Sequence, residues 1–223
     1  VAEHALACML ALARGLLKAD RATRSGQFAR RDELVGIELK NKTLGIVGFG
    51  RIGQEVARRC HLALDMRILA YDPYQTPEAL KEQGVEAREE LEALLAEADV
   101  VSLHLPLTPE TRGLISAKEF CVMKPNAFLL NLARGGVVDE AALHDALEEG
   151  QLGGAALDVF DSEPPQEGHP LFSLENVILT PHSAAHTKEA FWRMATQAAE
   201  AVLAYLRQER PKHIINPQVL SGS

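Results

Sequence analysis

Three side chains in the second half of the chain have the chemistry of an acid–base site. Histidine exchanges protons near neutral pH, so His182 is suited to protonating a carbonyl oxygen. Glu163 stands before two prolines in a stiff loop, and a hydrogen bond from His182 to this carboxylate would favour the imidazolium form. Arg134 carries a planar cation that grips a carboxylate through two parallel hydrogen bonds. The trio is a candidate site for protonating a carbonyl compound that carries a carboxylate.

Each of the three has a plainer interpretation. Arg134 could be a surface cation, His182 an ordinary histidine at a strand end, and Glu163 a solvated acid. Function is favoured for Arg134 because it directly follows an apolar run and precedes Gly135-Gly136, which leaves its guanidinium free. We expect three other histidines to be ordinary: His104, His169 and His186.

A glycine-rich motif predicts a binding site for an anion. The apolar run from Leu44 to Val47 ends in Gly48, Gly50 and Gly53, and a helical pattern follows at once. Gly48 permits a tight turn, Gly50 lacks the Cβ that would hold a pyrophosphate away, and Gly53 allows close packing of helix on strand. The first N–H groups of the helix are then free to bind phosphate.

An acid at the expected distance makes the motif more specific. A second apolar run, Met66 to Tyr71, ends in Asp72 about twenty residues after the last glycine, where a ribose-binding carboxylate belongs. An ordinary glycine turn followed by an unrelated aspartate is the alternative. The order and spacing of strand, glycines, helix, second strand and acid favour a dinucleotide-binding site. Asp72 without an adjacent cation favours NAD over NADP.

The elements that must position these residues follow from hydrophobic periodicity. Apolar strands alternate with amphipathic helices, which predicts an α/β fold with a doubly wound parallel sheet. In such sheets ligands lie at the carboxyl ends of the strands, where the glycines, Asp72, Arg134, Asp158 and His182 all fall. Strands are predicted at 44–47, 66–71, 99–105, 127–131, 153–157 and 176–180, and helices at 1–24, 78–83, 89–98, 139–149 and 188–207.

Composition excludes several classes of protein. The 223 residues are 47% hydrophobic and carry a net charge of −8, which argues against a nucleic-acid surface. No apolar run is long enough for a membrane span, and no signal peptide is recognisable. Cys8, Cys60 and Cys121 lie in apolar patterns and are expected to be reduced core residues of a cytoplasmic protein, not disulfides or metal ligands.

Several motifs, in order along nearly the whole chain, resemble those of the D-isomer-specific 2-hydroxyacid dehydrogenases. The resemblance implies a Rossmann-like domain that binds NAD and a substrate that is a small 2-keto or D-2-hydroxy acid. The motifs are Val-Ala-Glu-His-Ala-Leu-Ala at the start, the glycine motif itself, His104-Leu-Pro-Leu-Thr, Asn131-Leu-Ala-Arg-Gly-Gly-Val-Val-Asp139, Ala156-Leu-Asp-Val-Phe160, Ser162-Glu-Pro-Pro165 and Thr180-Pro-His182.

Carried over position by position, the resemblance implies a role for each site residue. Arg134 would orient the substrate carboxylate, His182 would be the general acid and base, and Glu163 its partner. Arg51 and Ile52 would contact the phosphates, Asp72 the adenosine ribose, and Asp158 the carboxamide. The full set of implied cofactor contacts is Gly48, Gly50, Arg51, Ile52, Gly53, Asp72, Leu105, Leu132, Ala133, Arg134, Asp158, His182, Ala184 and Ala185.

Family members carry an additional substrate-binding domain, which this chain is expected to lack. The chain starts at Val1 inside a helical pattern, and we expect a piece of a longer protein. Residues 1–223 would be one dinucleotide-binding domain: 1–35 an interdomain helix and linker, 36–208 the core, and 209–223 a segment returning to the absent domain. The apolar stripe of the opening helix, together with the resemblance, predicts a homodimer.

Two alternatives within the superfamily stay open at this level. One is an interaction protein that senses NAD, as the resembling transcriptional corepressors do. The other is formate dehydrogenase, which is disfavoured because that group has glutamine where Glu163 stands. The substrate could be of the hydroxypyruvate, glyoxylate or phosphoglycerate type.

Overall fold

The computed structural model describes residues 1–212 and 214–216 and contains two compact units, Val1–Ala184 and Ala185–Ser223. The first unit holds the whole sheet. The second contains one long helix. The predicted return segment, 209–223, lies partly outside the described residues.

Within residues 1–212 and 214–216, seven parallel strands form one sheet, which confirms the predicted fold class. Their order across the sheet is β3-β2-β1-β4-β5-β6-β7, so the chain builds outward from β1 to one side and then from β4 to the other. The strands β1 to β7 span Thr43–Val47, Arg67–Tyr71, Glu86–Ala87, Val100–Leu103, Phe128–Asn131, Gly154–Leu157 and Val177–Leu179.

The helices α1 to α8 connect and cover these strands. Two of them, α1 and α2, replace the single predicted helix over residues 1–24, because Gly15 adopts a left-handed conformation with φ of +55° and interrupts the helix. The helices span Ala2–Ala13, Leu16–Arg24, Arg51–Leu64, Pro77–Glu82, Leu91–Glu97, Ala117–Val122, Glu140–Glu148 and Lys188–Leu206, and short 3-10 helices span Phe28–Glu33 and Pro170–Ser173.

Hydrophobic layers cover both faces of the sheet. On one face α1, α3 and α4 contribute Met9, Val56 and Leu80 to a buried cluster with β1 and β2. On the other face α5, α6 and α7 pack Leu94, Phe120 and Leu143 against β4, β5 and β6. Burial on both faces explains why the strands are continuous apolar runs without alternation.

Two sequence expectations about this unit were incomplete or wrong. Strand β3 was not predicted, because two residues are too few for a periodic signal. Cys121 was expected in the core, but it lies exposed on α6. Cys8 and Cys60 are buried as expected, and burial raises the pKa of the Cys8 thiol to about 11 and of the Cys60 thiol to about 12.

Helix α8 dominates the second unit. Thr187 caps it, its side chain accepting a hydrogen bond from the backbone N–H of Ala190. In the described part of the chain, no helix has both the length and the apolar character that a membrane crossing requires.

Candidate active site

All the predicted site segments of the first unit lie at one edge of the sheet, beyond the carboxyl ends of the strands. The glycine loop follows β1, Asp72 follows β2, and Leu105 follows β4. The Arg134 turn follows β5. Strands β2 and β3 are added on one side of β1, and β4 to β7 on the other. In open α/β sheets, ligands bind at such a change of direction, which here lies between β1 and β4.

The three glycines occupy sites with different steric demands. Gly48 has φ of +89°, and a Cβ there would lie 2.6 Å from the carbonyl oxygen of His104. A Cβ at Gly53 would lie 2.5 Å from the carbonyl oxygen of Gly48. A Cβ at Gly50 would meet no atom within 4 Å, so this residue faces open space.

That open space lies at the start of α3. Gly50 is the N-cap residue, no side chain caps the helix, and Arg51 and Ile52 in the first turn are exposed. A pyrophosphate therefore fits here sterically and finds free backbone N–H groups.

Asp72 is tied to the glycine loop. Its Oδ2 accepts a hydrogen bond from the N–H of Phe49 at 2.7 Å, and its Oδ1 accepts one from the N–H of Tyr74 at 2.9 Å. Each carboxylate oxygen keeps a second lone pair for a further donor. The carboxylate is thus fixed beside the glycine loop and can still accept hydrogen bonds from ribose hydroxyls.

The turn that carries Arg134 is held by a buried amide that the sequence interpretation missed. Asn131 is 2% exposed, its Nδ2 donates to the carbonyl of Arg134 at 3.0 Å, and its Oδ1 accepts from the N–H of Ala133 at 3.2 Å. Leu132 and Ala133 are buried, whereas the Arg134 side chain is exposed. An asparagine at the end of an apolar strand was the available signal.

Glu163 and His182 form the central pair of the site. Glu163 Oε2 lies 2.7 Å from His182 Nδ1, and Glu163 Oε1 accepts a hydrogen bond from the N–H of Phe160 at 3.1 Å. The hydrogen bond with His182 holds the pKa of Glu163 below its ordinary value. His182 is in the left-handed region, with φ of +51°, and its side chain is 54% exposed. The carboxylate thus orients the ring and leaves Nε2 free to face a ligand.

An apolar cavity of about 430 Å³ adjoins this pair. It extends the site beyond the two polar side chains. Its other walls are Phe160, Pro164, Pro165, Phe172, Leu179, Thr180 and Pro181.

Asp158 anchors the segment that carries His182. Its carboxylate is 1% exposed and accepts hydrogen bonds from the hydroxyl of Thr180 at 2.5 Å, the N–H of Ser183 at 2.8 Å and the N–H of Ala184 at 2.7 Å. Thr180 Oγ1 also lies 3.2 Å from Nε2 of His4 on α1. The resemblance implied only a carboxamide contact for Asp158, and nothing in the spacing indicated this anchoring function.

The remaining predicted contacts are backbone or small apolar positions. Leu105 is half-buried, and its Cβ lies 3.2 Å from the place where a Gly48 side chain would start. Ala184 is buried in the first unit. Ala185 begins the second unit, where its carbonyl accepts a hydrogen bond from the N–H of Thr187 at 3.0 Å.

His104 lies near this edge but differs chemically from His182. Burial lowers its pKa to about 4, and its Nε2 lies 2.8 Å from the hydroxyl of Ser102. Burial therefore favours the neutral form of the His104 ring at pH 7.

The family model for "D-isomer specific 2-hydroxyacid dehydrogenase, NAD binding domain" matches residues 6–184. The chain is 46% identical over 202 residues to D-3-phosphoglycerate dehydrogenase of Archaeoglobus fulgidus, covering 91% of this chain and 38% of that protein. It is 45% identical over 228 residues to glyoxylate reductase of Thermococcus litoralis, covering 100% of this chain and 68% of that protein.

A solved structure of D-lactate dehydrogenase with NAD⁺ from Lactobacillus jensenii superposes with a TM-score of 0.86 at 34% identity, covering 96% of this chain and 67% of that one. The chain spans well under half the length of the phosphoglycerate dehydrogenases that it matches. The match of the family model and the parallel sheet agree: the chain belongs to the D-isomer specific 2-hydroxyacid dehydrogenase family and contains its NAD binding domain.

Proposed function

We propose that this chain is the cofactor-binding part of an enzyme that transfers a hydride between NAD and a 2-keto or D-2-hydroxy acid. The observation that carries the proposal is the hydrogen bond of 2.7 Å between Glu163 and His182, at the same sheet edge as the glycine loop and Arg134. The names of the relatives, which are those of enzymes, favour this function over the corepressor alternative.

The glycine loop and the strand ends hold the cofactor in this proposal. The N–H groups at the start of α3, with Arg51 and Ile52, bind the phosphates, and Asp72 accepts hydrogen bonds from the ribose hydroxyls. Bound NADH supplies the hydride for ketone reduction, and NAD⁺ accepts it in the reverse direction. The remaining proposed contacts are Leu105, Leu132, Ala133, Arg134, Asp158, His182, Ala184 and Ala185.

The three polar side chains handle the substrate and the proton. Arg134 binds the substrate carboxylate and so orients the neighbouring carbonyl group. His182, as imidazolium, donates its proton to the carbonyl oxygen while the carbonyl carbon gains the hydride, so the ketone becomes an alcohol. Glu163 stays ionised and stabilises the imidazolium before transfer. In the reverse direction neutral His182 takes the hydroxyl proton.

The identity of the side chain on the keto acid depends on contacts outside this chain. We propose that loops of a substrate-binding domain complete the cleft, since the curated relatives are longer. The names of the relatives favour a substrate of the glyoxylate or the phosphoglycerate type, and the hydroxypyruvate type stays open beside them.

Substitution of the proton donor tests the proposal. In the enzyme that carries this domain, His182→Ala should lower kcat for keto-acid reduction on the order of a hundredfold or more, because general acid catalysis contributes about that much. NAD affinity, measured by calorimetry, should stay nearly unchanged. A His182→Ala enzyme that reduces keto acids at close to the parent rate would end the proposed mechanism.

We also propose that the domain forms a homodimer. Leu16, Leu17, Phe28 and Val35 on α2 and the segment after it are 59%, 44%, 66% and 83% exposed, which is unfavourable for large apolar side chains in water. Light scattering should report twice the chain mass at concentrations above micromolar. Leu17→Glu with Val35→Glu should give the monomer, and a wild-type protein that is monomeric at high concentration would contradict the proposal.

A cytoplasmic location completes the proposal. It rests on three free cysteines, two of them with thiols that burial keeps protonated at neutral pH. Cell fractionation tests it.

A further inference from the structure

The carboxylate of Glu140, in the first turn of α7, bonds to the loop that carries Glu163 at two points. Its Oε1 accepts a hydrogen bond from the N–H of Asp161 at 2.8 Å. Its Oε2 lies 3.0 Å from Nε2 of His169. The two points flank Glu163 in sequence. The side chains of Glu140 and His169 are only 12% and 17% exposed, so both contacts are largely shielded from water.

Packing fixes the ring of His169 in this contact. The ring lies edge-on to Phe160, with centroids 5.9 Å apart, and 5.4 Å from the ring centroid of Phe172. Its Nδ1 is buried and has no hydrogen-bond partner in the part of the chain that the structure describes. Glu140 is therefore the polar anchor of the ring, and Nε2 carries the proton that is donated to it.

Asp161 continues the connection to the turn that carries Arg134. Its Oδ1 accepts a hydrogen bond from the N–H of Gly136 at 2.6 Å. Gly135 lies directly against the backbone of Phe160, so that a Cβ there would be 1.9 Å from the Phe160 carbonyl oxygen. The substrate-binding turn and the loop of the acid–base pair are thus joined through Asp161.

The same backbone segment sets the position of Glu163. The N–H of Phe160, one residue before Asp161, donates to Glu163 Oε1 at 3.1 Å. A shift of residues 160 and 161 would move the carboxylate that orients His182 and, through Gly136, the turn of Arg134. The distance between the group that binds the substrate and the group that moves the proton therefore depends on this segment.

We infer that Glu140, Asp161 and His169 form a positioning clamp that holds the Arg134 turn and the Glu163–His182 pair in register for one substrate. The inference rests on the proposed function. None of the three clamp residues is among the proposed contacts of the substrate or the cofactor. Their effect is on alignment, to which hydride and proton transfer are highly sensitive.

Substitutions at Glu140 separate alignment from general stability. In the enzyme that carries this domain, Glu140→Ala should lower kcat for keto-acid reduction about tenfold or more and raise the KM of the keto acid. The KM of NADH should rise less than the KM of the keto acid, because the glycine loop and Asp72, which are proposed to hold the phosphates and the ribose, lie on elements that the clamp does not contact. Glu140→Gln keeps an oxygen for the N–H of Asp161 and should recover part of kcat.

Two further variants complete the experiment. Glu148→Gln, at the exposed end of the same helix, is the matched control and should behave as the parent. His169→Phe keeps a ring among Phe160 and Phe172 but removes the donor to Glu140, and it should lower kcat in the same direction as Glu140→Ala. Because Glu140→Gln and His169→Phe change the side-chain shape little, they test the clamp even if Glu140→Ala does not fold.

The outcomes separate this inference from the proposed function. A parent enzyme that reduces no 2-keto acid defeats the proposed function itself. A parent that does so, with Glu140→Gln and His169→Phe enzymes that share its kcat and KM values, defeats the clamp alone. Equal losses in the KM of NADH and of the keto acid would also overturn the clamp, since they would show a general loosening of the fold.

Discussion

Charge at one residue sets the pH range in which the acid–base pair works. The hydrogen bond from His182 holds the pKa of Glu163 below its ordinary value, so the carboxylate is fully ionised once the pH is above the range in which an ordinary glutamate titrates. Its contribution to the pair is present above this range and is lost only as the pH falls through the lowered pKa.

Removal of this charge should shift the pH profile of ketone reduction. Glu163→Gln keeps a hydrogen-bond acceptor for His182 but no longer favours the imidazolium, so the alkaline decline of kcat should move to lower pH. Profiles of kcat against pH for both proteins measure the shift. An unchanged midpoint would show that Glu163 orients the ring without influencing its proton.

The proposed contact of Asp72 with the ribose predicts which of the two nicotinamide cofactors binds more tightly. A 2′-phosphate would lie beside its carboxylate, and Pro73 and Tyr74 offer no neighbouring cation. NAD should therefore bind about tenfold or more tightly than NADP, a difference that corresponds to about 1.4 kcal/mol of like-charge repulsion. Calorimetric titration of the chain with each cofactor measures the ratio.

Replacement of Asp72 gives the complementary test. Asp72→Ser with Pro73→Arg removes the repulsion and adds a cation, so the ratio of the affinities for NAD and NADP should approach one. Glu78→Gln on α4 changes charge nearby and should leave the ratio as it is. Tighter binding of NADP than of NAD by the unmodified chain would refute the assignment.

At the scale of elements, Gly50 before α3 and Gly135 in the turn after β5 differ in the space that a side chain would find. A Cβ at Gly135 would collide with the backbone of Phe160, whereas a Cβ at Gly50 would enter open space in front of α3. Gly135→Ala should therefore destabilise the fold by about 1–3 kcal/mol or more, as overpacking does. Gly50→Ala should change stability by less than about 1 kcal/mol and weaken NAD binding.

Thermal unfolding and NAD titration of the same two variants check this contrast. The expected pattern is a low Tm for Gly135→Ala and a parental Tm with weak NAD binding for Gly50→Ala. If Gly50→Ala binds NAD as the parent does, the pyrophosphate does not lie at the start of α3.

Across the whole molecule, periodic features were predictable and isolated contacts were not. Six of the strands appeared in the sequence as apolar runs. Asp72, Arg134 and His182 were chosen as candidate site residues because each follows such a run, and parallel sheets bind ligands at the carboxyl ends of their strands. Residue Gly15 was missed as a helix break because a single glycine is often tolerated in a helix.

The supporting hydrogen bonds of the site were outside the reach of sequence patterns. Asn131, Asp158 and Glu140 bond to residues that lie between two and twenty-nine positions away. Their partners became known only when the strands had been placed side by side. Polar residues at strand ends or at a helix start were visible, but which backbone groups they would bind depends on tertiary structure.

The strand order has a consequence for the growing chain on the ribosome. Strand β1 is made first and ends in the middle of the sheet, with β2 on one side and β4 on the other. Once β2 has paired, the second edge of β1 stays open until Val100–Leu103 has emerged. That unpaired edge of buried apolar residues is a template for wrong pairing between nascent chains. From β4 onward each new strand covers the edge left by the one before it, so the exposure to misassembly is concentrated in the interval before β4 has been made.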